Sequence, residues 1–246
     1  MTILIFLYSL LLGSFFNVVG LRVPLKKSII TPRSSCPGCA HTLRAIELIP
    51  VFSYIIQGGK CRHCKRRISP LYPIMELSTA LLFLFAYWQI GWSLELIFVW
   101  TLLSLFIIIF ITDITYMLIP DRILLFFLPL FLIERIMIPL NPWWDSLLGA
   151  AIGFTLLLTI AVISKGGMGG GDIKLFGVIG FALGSKLVLL SFFAASVFGG
   201  VFGLIGMAFG KYKKGESIPF GPFIGIGTLV VYFYHQRILD WYFSFL

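Results

Sequence analysis

Long apolar runs separated by short polar breaks dominate this chain. Eight runs stand out, at about 3–21, 71–91, 94–112, 122–139, 144–164, 174–188, 189–209 and 220–240. Each is long enough, or nearly so, to form a helix crossing a bilayer, which takes roughly 20 predominantly apolar residues. The pattern predicts an all-α integral membrane protein of about eight transmembrane helices. The stretch from Lys174 to Gly210 holds two of them, with a turn near Gly184-Ser185-Lys186. The first run has no Lys or Arg among residues 1–9, so it lacks the basic start of a cleavable signal segment and reads as a retained anchor. The only long polar segment is 22–70. The expected organisation is a first transmembrane helix over 1–21, a cytoplasmic cysteine loop domain over 22–70, and a seven-helix membrane domain over 71–246.

Two breaks carry unusual chemistry. The run Gly166-Gly167-Met168-Gly169-Gly170-Gly171-Asp172 ends on a carboxylate at the edge of a predicted helix, and Asp113 directly follows the apolar run 94–111. A charge at a helix edge has an ordinary reading as an interfacial, solvated group. Here two separate helices each offer one aspartate on the same side of the membrane, and glycines beside one of them permit close backbone approach. Two carboxylates sharing a proton form an acid/base pair that can activate water against a peptide bond. The pattern points to intramembrane aspartyl protease chemistry.

Composition and charge reinforce the membrane reading. The chain is 59% hydrophobic and 12% charged, more apolar than a soluble core of 246 residues requires. Its formal net charge is +9. With the N-terminus outside, segments 22–70, 113–122, 165–174 and 210–218 face the cytoplasm and hold 16 of the 19 Lys and Arg residues, leaving Arg135, Lys186 and Arg237 near the opposite face. By the positive-inside rule that asymmetry supports this orientation. It places Asp113 and Asp172 together at the cytoplasmic edge. The basic balance is thus a topology signal, with attraction to anionic lipid as a by-product, and does not call for a nucleic-acid partner. Trp88, Trp92, Trp143 and Trp144 fall at predicted outer helix ends, as interfacial anchors do.

All four cysteines lie in the polar segment, as Cys36-Pro37-Gly38-Cys39 and Cys61-Arg62-His63-Cys64. Two Cys-x-x-Cys pairs are the spacing of a four-thiolate zinc site. Two disulfides are the competing reading, which a reducing cytoplasm disfavours. Four thiolates leave no open coordination position, so zinc here would be structural. His41 and His63 are alternative ligands, with ordinary loop roles as the plainer reading. A segment this short gains a reason to fold from such a staple.

Taken in order, these motifs resemble the type IV prepilin peptidases, bifunctional leader peptidases and N-methyltransferases. The resemblance spans nearly the whole chain. It runs from Gly13-Ser14-Phe15-Phe16-Asn17 through Arg22-Val23-Pro24, the paired cysteines with Glu47-Leu48-Ile49-Pro50 and Gly58-Gly59-Lys60-Cys61, and Tyr72-Pro73-Ile74-Met75-Glu76-Leu77. It continues with Asp113 and Ile119-Pro120-Asp121, Gly169-Gly170-Gly171-Asp172-Ile173-Lys174, and Pro219-Phe220-Gly221-Pro222-Phe223. The resemblance implies a catalytic pair of Asp113 and Asp172. Asp121 is the rival for the first position, with a helix-start role as its ordinary reading. Gly169, Gly170 and Gly171 would let an extended substrate backbone lie beside Asp172, or simply form an interhelical turn. The implied substrates are prepilins or pseudopilins, cut where a basic leader meets an apolar helix. The implied methyl donor is S-adenosylmethionine, assigned to the loop 22–70 and within it to Gly58 and Gly59. Relatives lacking a cysteine loop are thought of as peptidases only, so its presence favours the two-step enzyme.

Two other classes compete. An ion- or proton-coupled transporter would place Asp113 and Asp172 nearer mid-membrane and show repeated halves. A noncatalytic zinc-bearing scaffold explains the cysteines but leaves the glycine run before Asp172 without a purpose. Presenilin-like proteases share Gly-x-Gly-Asp, but their first aspartate follows a tyrosine, where this chain has Thr112.

Overall fold

The computed structural model describes residues 1–165, 167–210 and 218–244. Gly166 of the glycine run, and Lys211, Lys213 and Lys214 of the basic count, lie outside the described residues. The described chain is helical, with two isolated β-bridges in the polar segment. It divides into two compact units, Met1–Thr115 and Tyr116–Leu246.

In the first unit, α1 (Thr2–Arg22) is followed by the polar segment with its short α2 (Phe52–Ile56), then α3 (Leu71–Ile90) and α4 (Leu94–Tyr116). α1 and α3 touch closely. A Cβ on Gly13 would lie 2.8 Å from Glu76 Cα and 2.9 Å from Thr79 Oγ1, so only glycine admits that contact. Gly20 repeats the device against Ile111 of α4, at 2.7 Å. Small residues at such crossings let helices pack where lipid removes the usual hydrophobic drive. α4 is the most enclosed helix, with Leu96, Val99, Leu102, Leu105, Ile109 and Ile111 fully buried.

The second unit contains α5 (Asp121–Met137), α6 (Asp145–Ile163), α7 (Gly170–Leu183), α8 (Ser185–Ala208) and α9 (Gly221–Phe243). α6 and α7 meet backbone to backbone: a Cβ on Gly149 would collide with the Gly180 carbonyl, one on Gly180 with the Gly149 carbonyl, and one on Gly153 with the Phe176 carbonyl. The turn expected near Gly184-Ser185-Lys186 is present, with the break at Gly184 (φ +84°) between α7 and α8. Asp145 caps the new helix there. Its Oδ2 accepts from the Ser185 N–H at 3.2 Å and its Oδ1 from the Ser185 hydroxyl at 2.5 Å. Arg135 donates to the Ala182 carbonyl at 2.6 Å and the Ile138 carbonyl at 3.2 Å, covering orphan acceptors at two helix ends. In the last motif, Gly221 opens α9, and Phe223 stacks on Phe202 of α8 with centroids 5.2 Å apart.

Among the described residues, eight helices of 14 residues or more overlap the eight apolar runs. Five of them, α1, α3, α4, α6 and α8, are long and apolar enough to cross a membrane. α7 is the shortest at 14 residues, about 21 Å, below the ~30 Å of a hydrocarbon core. Large apolar side chains cover the outside, among them Ile3, Leu125, Val162, Phe193 and Leu204, each more than half exposed. In water such a surface would be untenable; facing lipid, it is the normal one.

Candidate active site and cysteine centre

α4 runs one turn past the apolar stretch, to Tyr116, so Asp113 sits inside the helix and not after it. The aspartate is buried, at 6% exposure, with Thr112 fully buried beside it. Two residues earlier, Ile111 receives Gly20 of α1. Asp113 therefore lies on a packed, fixed part of its helix.

Asp172 stands in the first turn of α7, half-buried. The helix begins at Gly170, four residues before the sequence placed it, so Gly170 and Gly171 belong to the helix and Gly169 caps it in extended conformation (φ −69°, ψ 138°). The three glycines have different surroundings. A side chain on Gly171 would meet Ile119 Cβ at 2.8 Å; one on Gly169 would meet Asp172 Oδ2 at 3.0 Å; Gly170 faces open space. Ile119 is itself buried. Two motifs 50 residues apart in sequence thus meet here, Ile119-Pro120-Asp121 against Gly171-Asp172.

A bidentate ion pair ties the same two motifs. Lys174 Nζ donates to both carboxylate oxygens of Asp121, at 2.8 and 2.7 Å. Asp121 is the first residue of α5, as expected from Pro120, yet its side chain makes no capping hydrogen bond and is engaged by Lys174 instead. That partner was invisible to sequence spacing.

In the polar segment the four sulfurs come together. Cys36 Sγ lies 3.7 Å from Cys64 Sγ, Cys39 Sγ lies 4.0 Å from Cys61 Sγ, and all four fall within 4.8 Å. Tetrahedral zinc with bonds of about 2.3 Å needs sulfurs about 3.8 Å apart, so the donor set fits such an ion. All four cysteines are free thiols, not disulfides. Two copies of one knuckle build the cluster. Cys36 donates its N–H to the His41 carbonyl as Cys61 does to Arg66, and Ala40 (φ +55°) donates to the Cys36 carbonyl as Lys65 (φ +60°) does to Cys61. The bridges Ser35–Thr42 and Lys60–Arg67 match as well. Every pair is offset by 25 residues, a short repeat that the residue types conceal.

The Gly38 N–H, 3.4 Å from Cys36 Sγ, and the Cys39 N–H hold that thiol down, to about 6. The His41 N–H likewise favours the Cys39 thiolate, but desolvation and the neighbouring sulfurs outweigh it and push that thiol up to about 11. His41 and His63 stay outside the cluster: their rings stack with centroids 3.7 Å apart, and His41 Nε2 lies 3.7 Å from Glu47. The Arg44 N–H donates to Glu47 at 2.9 Å and holds that carboxyl below its ordinary value. Gly58 and Gly59 end α2 with positive φ, donating to the Ile55 and Tyr54 carbonyls. A side chain on Gly59 would strike the Tyr54 ring. At the start of the same short helix, Val51 donates its N–H to Glu76 Oε2 at 2.7 Å.

Comparison with known proteins identifies the family. Residues 7–90 match the bacterial peptidase A24 N-terminal domain, and residues 100–204 match the type IV leader peptidase family. A prepilin leader peptidase/N-methyltransferase of Bacillus subtilis (strain 168) is 48% identical over 239 residues, covering 97% of this chain and 96% of the relative. Proteins of the same name from Aeromonas salmonicida (strain A449) and Pseudomonas aeruginosa are 31% and 32% identical, covering 98% and 97% of this chain and 93% and 92% of theirs. No solved structure matches. The chain belongs to the type IV leader peptidase family, as a multi-pass membrane enzyme.

Proposed function

We propose that the protein removes the basic leader from prepilin or pseudopilin precursors at the cytoplasmic edge of the bacterial inner membrane, then methylates the exposed amino terminus. The end-to-end match to prepilin leader peptidase/N-methyltransferases carries this reading. Asp113 and Asp172 are the proposed acid/base pair. One, ionised, takes a proton from water as the oxygen adds to the scissile carbonyl. The other, protonated, gives its proton to the departing nitrogen as the carbon–nitrogen bond breaks.

The Ile119 contact supports the first turn of α7 and so holds Asp172 in place, and the solvent-facing Asp121–Lys174 pair adds only a little to it. Gly170, open on its outer side, leaves room for a substrate backbone next to Asp172. The N-terminus is proposed to lie outside, which puts the cysteine loop and both aspartates on the cytoplasmic side where a leader remains. The cysteine cluster would hold structural zinc. S-adenosylmethionine would supply a methyl group on a positively charged sulfur, and Gly58 and Gly59 would act on its site by fixing Tyr54 and Gln57.

Incubating the purified protein with a prepilin peptide, with and without S-adenosylmethionine, and weighing the products tests both activities. Cleavage alone without the donor, and cleavage plus the mass of one methyl group with it, is the expected result. An intact peptide under both conditions would contradict the proposal.

A further inference from the structure

A second polar feature lies within the first unit. Between the close contact of α1 with α3 and the cysteine loop is a cavity of about 490 Å³, within the ~300–1,000 Å³ typical of small-molecule sites. Its inner wall carries Asn17 of α1 and Glu76 of α3, at 2% and 7% exposure. The Asn17 amide donates to the Tyr72 carbonyl at 3.1 Å, which fixes its orientation, and leaves its Oδ1 buried without a hydrogen-bond partner. An orphaned buried acceptor costs about 1–3 kcal/mol and implies a missing donor. Glu76 accepts from the Val51 N–H at 2.7 Å and from the Ser14 hydroxyl, which leaves part of its carboxylate for a ligand. Val51 holds that position with φ +62°, a rare conformation for a β-branched residue, of the kind that clusters at binding sites.

The remaining lining is of two kinds. Leu43, Leu48, Ile68 and Tyr54 give apolar and aromatic surface, while Arg22, Arg66 and Arg67 supply cations at the loop side. The cavity is thus acidic within and apolar between, and its loop side is net basic, with three arginines against Glu47. A ligand matching it carries a cation and hydrogen-bond donors at one part, a carboxylate at another, and a flat heterocycle. S-adenosylmethionine has that distribution: a sulfonium, an ammonium, a carboxylate and an adenine.

Resting on the methyltransferase reading above, we infer that this cavity is the methyl-donor site, with Glu76 facing the cationic groups, Asn17 Oδ1 accepting a donor hydrogen, and the arginines receiving the carboxylate. The site lies beside the cysteine cluster, since Cys36 and Cys61 also line it. A metal held by the cysteines would therefore also fix the loop wall of this cavity. The transfer itself forms a bond from the substrate amine to the methyl carbon and breaks the carbon–sulfur bond. It leaves neutral S-adenosylhomocysteine and releases a proton from the amine.

Calorimetric titration of the full-length protein in nanodiscs, with S-adenosylmethionine and separately with S-adenosylhomocysteine, tests the inference without any turnover. Glu76→Gln should weaken S-adenosylmethionine by about tenfold or more, the range of a hydrogen-bonded or ion-paired charge, and the uncharged-sulfur product by less. Asn17→Leu should weaken both. Zinc content and thermal unfolding of each variant report whether the loop is intact. Photolabelling of the wild-type protein with radiolabelled S-adenosylmethionine is independent of any variant and should mark peptides within residues 43–76. If the wild-type protein binds neither compound, the methyltransferase reading itself fails. Wild-type binding that both variants retain unchanged, or label confined to residues 121–244, would overturn the site alone.

Discussion

Asp113, Asp172 and Asp121 are three carboxylates in three settings, and substitution should separate them. Asp113 is buried within α4, Asp172 occupies the first turn of α7, and Asp121 is held by Lys174. Replacing either member of the proposed pair with Asn should lower prepilin cleavage by about 10²–10⁴-fold, the span of general acid–base catalysis, with membrane insertion retained. Asp121→Asn should keep substantial activity, because it removes only one partner of an outward-facing pair, an interaction of about 0–1 kcal/mol where solvated. Gel-based cleavage of a prepilin substrate checks all three, and full activity in Asp113→Asn would remove that residue from the mechanism. Asp172 and its glycines were legible in the sequence because the residue types are unusual. Lys174 as the partner of Asp121 was not, since 53 residues separate them and only the α5–α7 packing joins them.

The helices were legible one by one, because each apolar run is bounded by Pro, Gly or charge. Their mutual packing was hidden. Gly149, Gly153 and Gly180 look like ordinary small residues in apolar runs, yet each replaces a side chain that would collide with a facing backbone. Gly180→Val should therefore cost more than the ~1–3 kcal/mol of ordinary core overpacking, since backbone cannot move aside as a side chain does. The expected readout is a thermal midpoint several degrees lower, with Gly200→Val, which faces open space, as the benign control. Gly171→Val should be similarly disruptive through Ile119, and should damage cleavage by displacing Asp172.

The cysteine segment was legible in its ligands and opaque in its architecture. Cys36, Cys39, Cys61 and Cys64 announce a metal site by spacing alone, whereas the 25-residue repeat of the two knuckles lives in backbone hydrogen bonds that unrelated side chains share. Replacing Cys36 and Cys39 with Ser should release about one zinc per chain and loosen residues 22–70, seen as faster proteolysis of that segment. Metal analysis finding no zinc in protein purified under reducing conditions, without chelator, would contradict the structural role. Glu47 adds a pH dependence. Its carboxyl is held below the ordinary value, so its stabilising contribution is complete above about pH 4.5 and is lost as pH falls through the lowered value. The loop should loosen on that acid side, with Glu47→Gln flattening the response.

At the scale of the whole molecule, two chemistries share one membrane protein. Hydrolysis needs the aspartate pair and water; methyl transfer needs a donor pocket and a free amino terminus. The division is consistent with the cavity lying entirely among residues 14–76, while Asp172 lies in the second unit. Damage to Gly58 and Gly59, which position Tyr54, should impair methylation more than cleavage. The most direct measurement supplies Asp172→Asn protein with S-adenosylmethionine and either an intact prepilin peptide or the same peptide already cut. The intact peptide should be recovered unchanged, and the cut peptide should gain one methyl group at its amino terminus. Cleavage of the intact peptide by this variant, or a requirement for Asp172 in methylating the cut one, would contradict a two-site enzyme built on that aspartate.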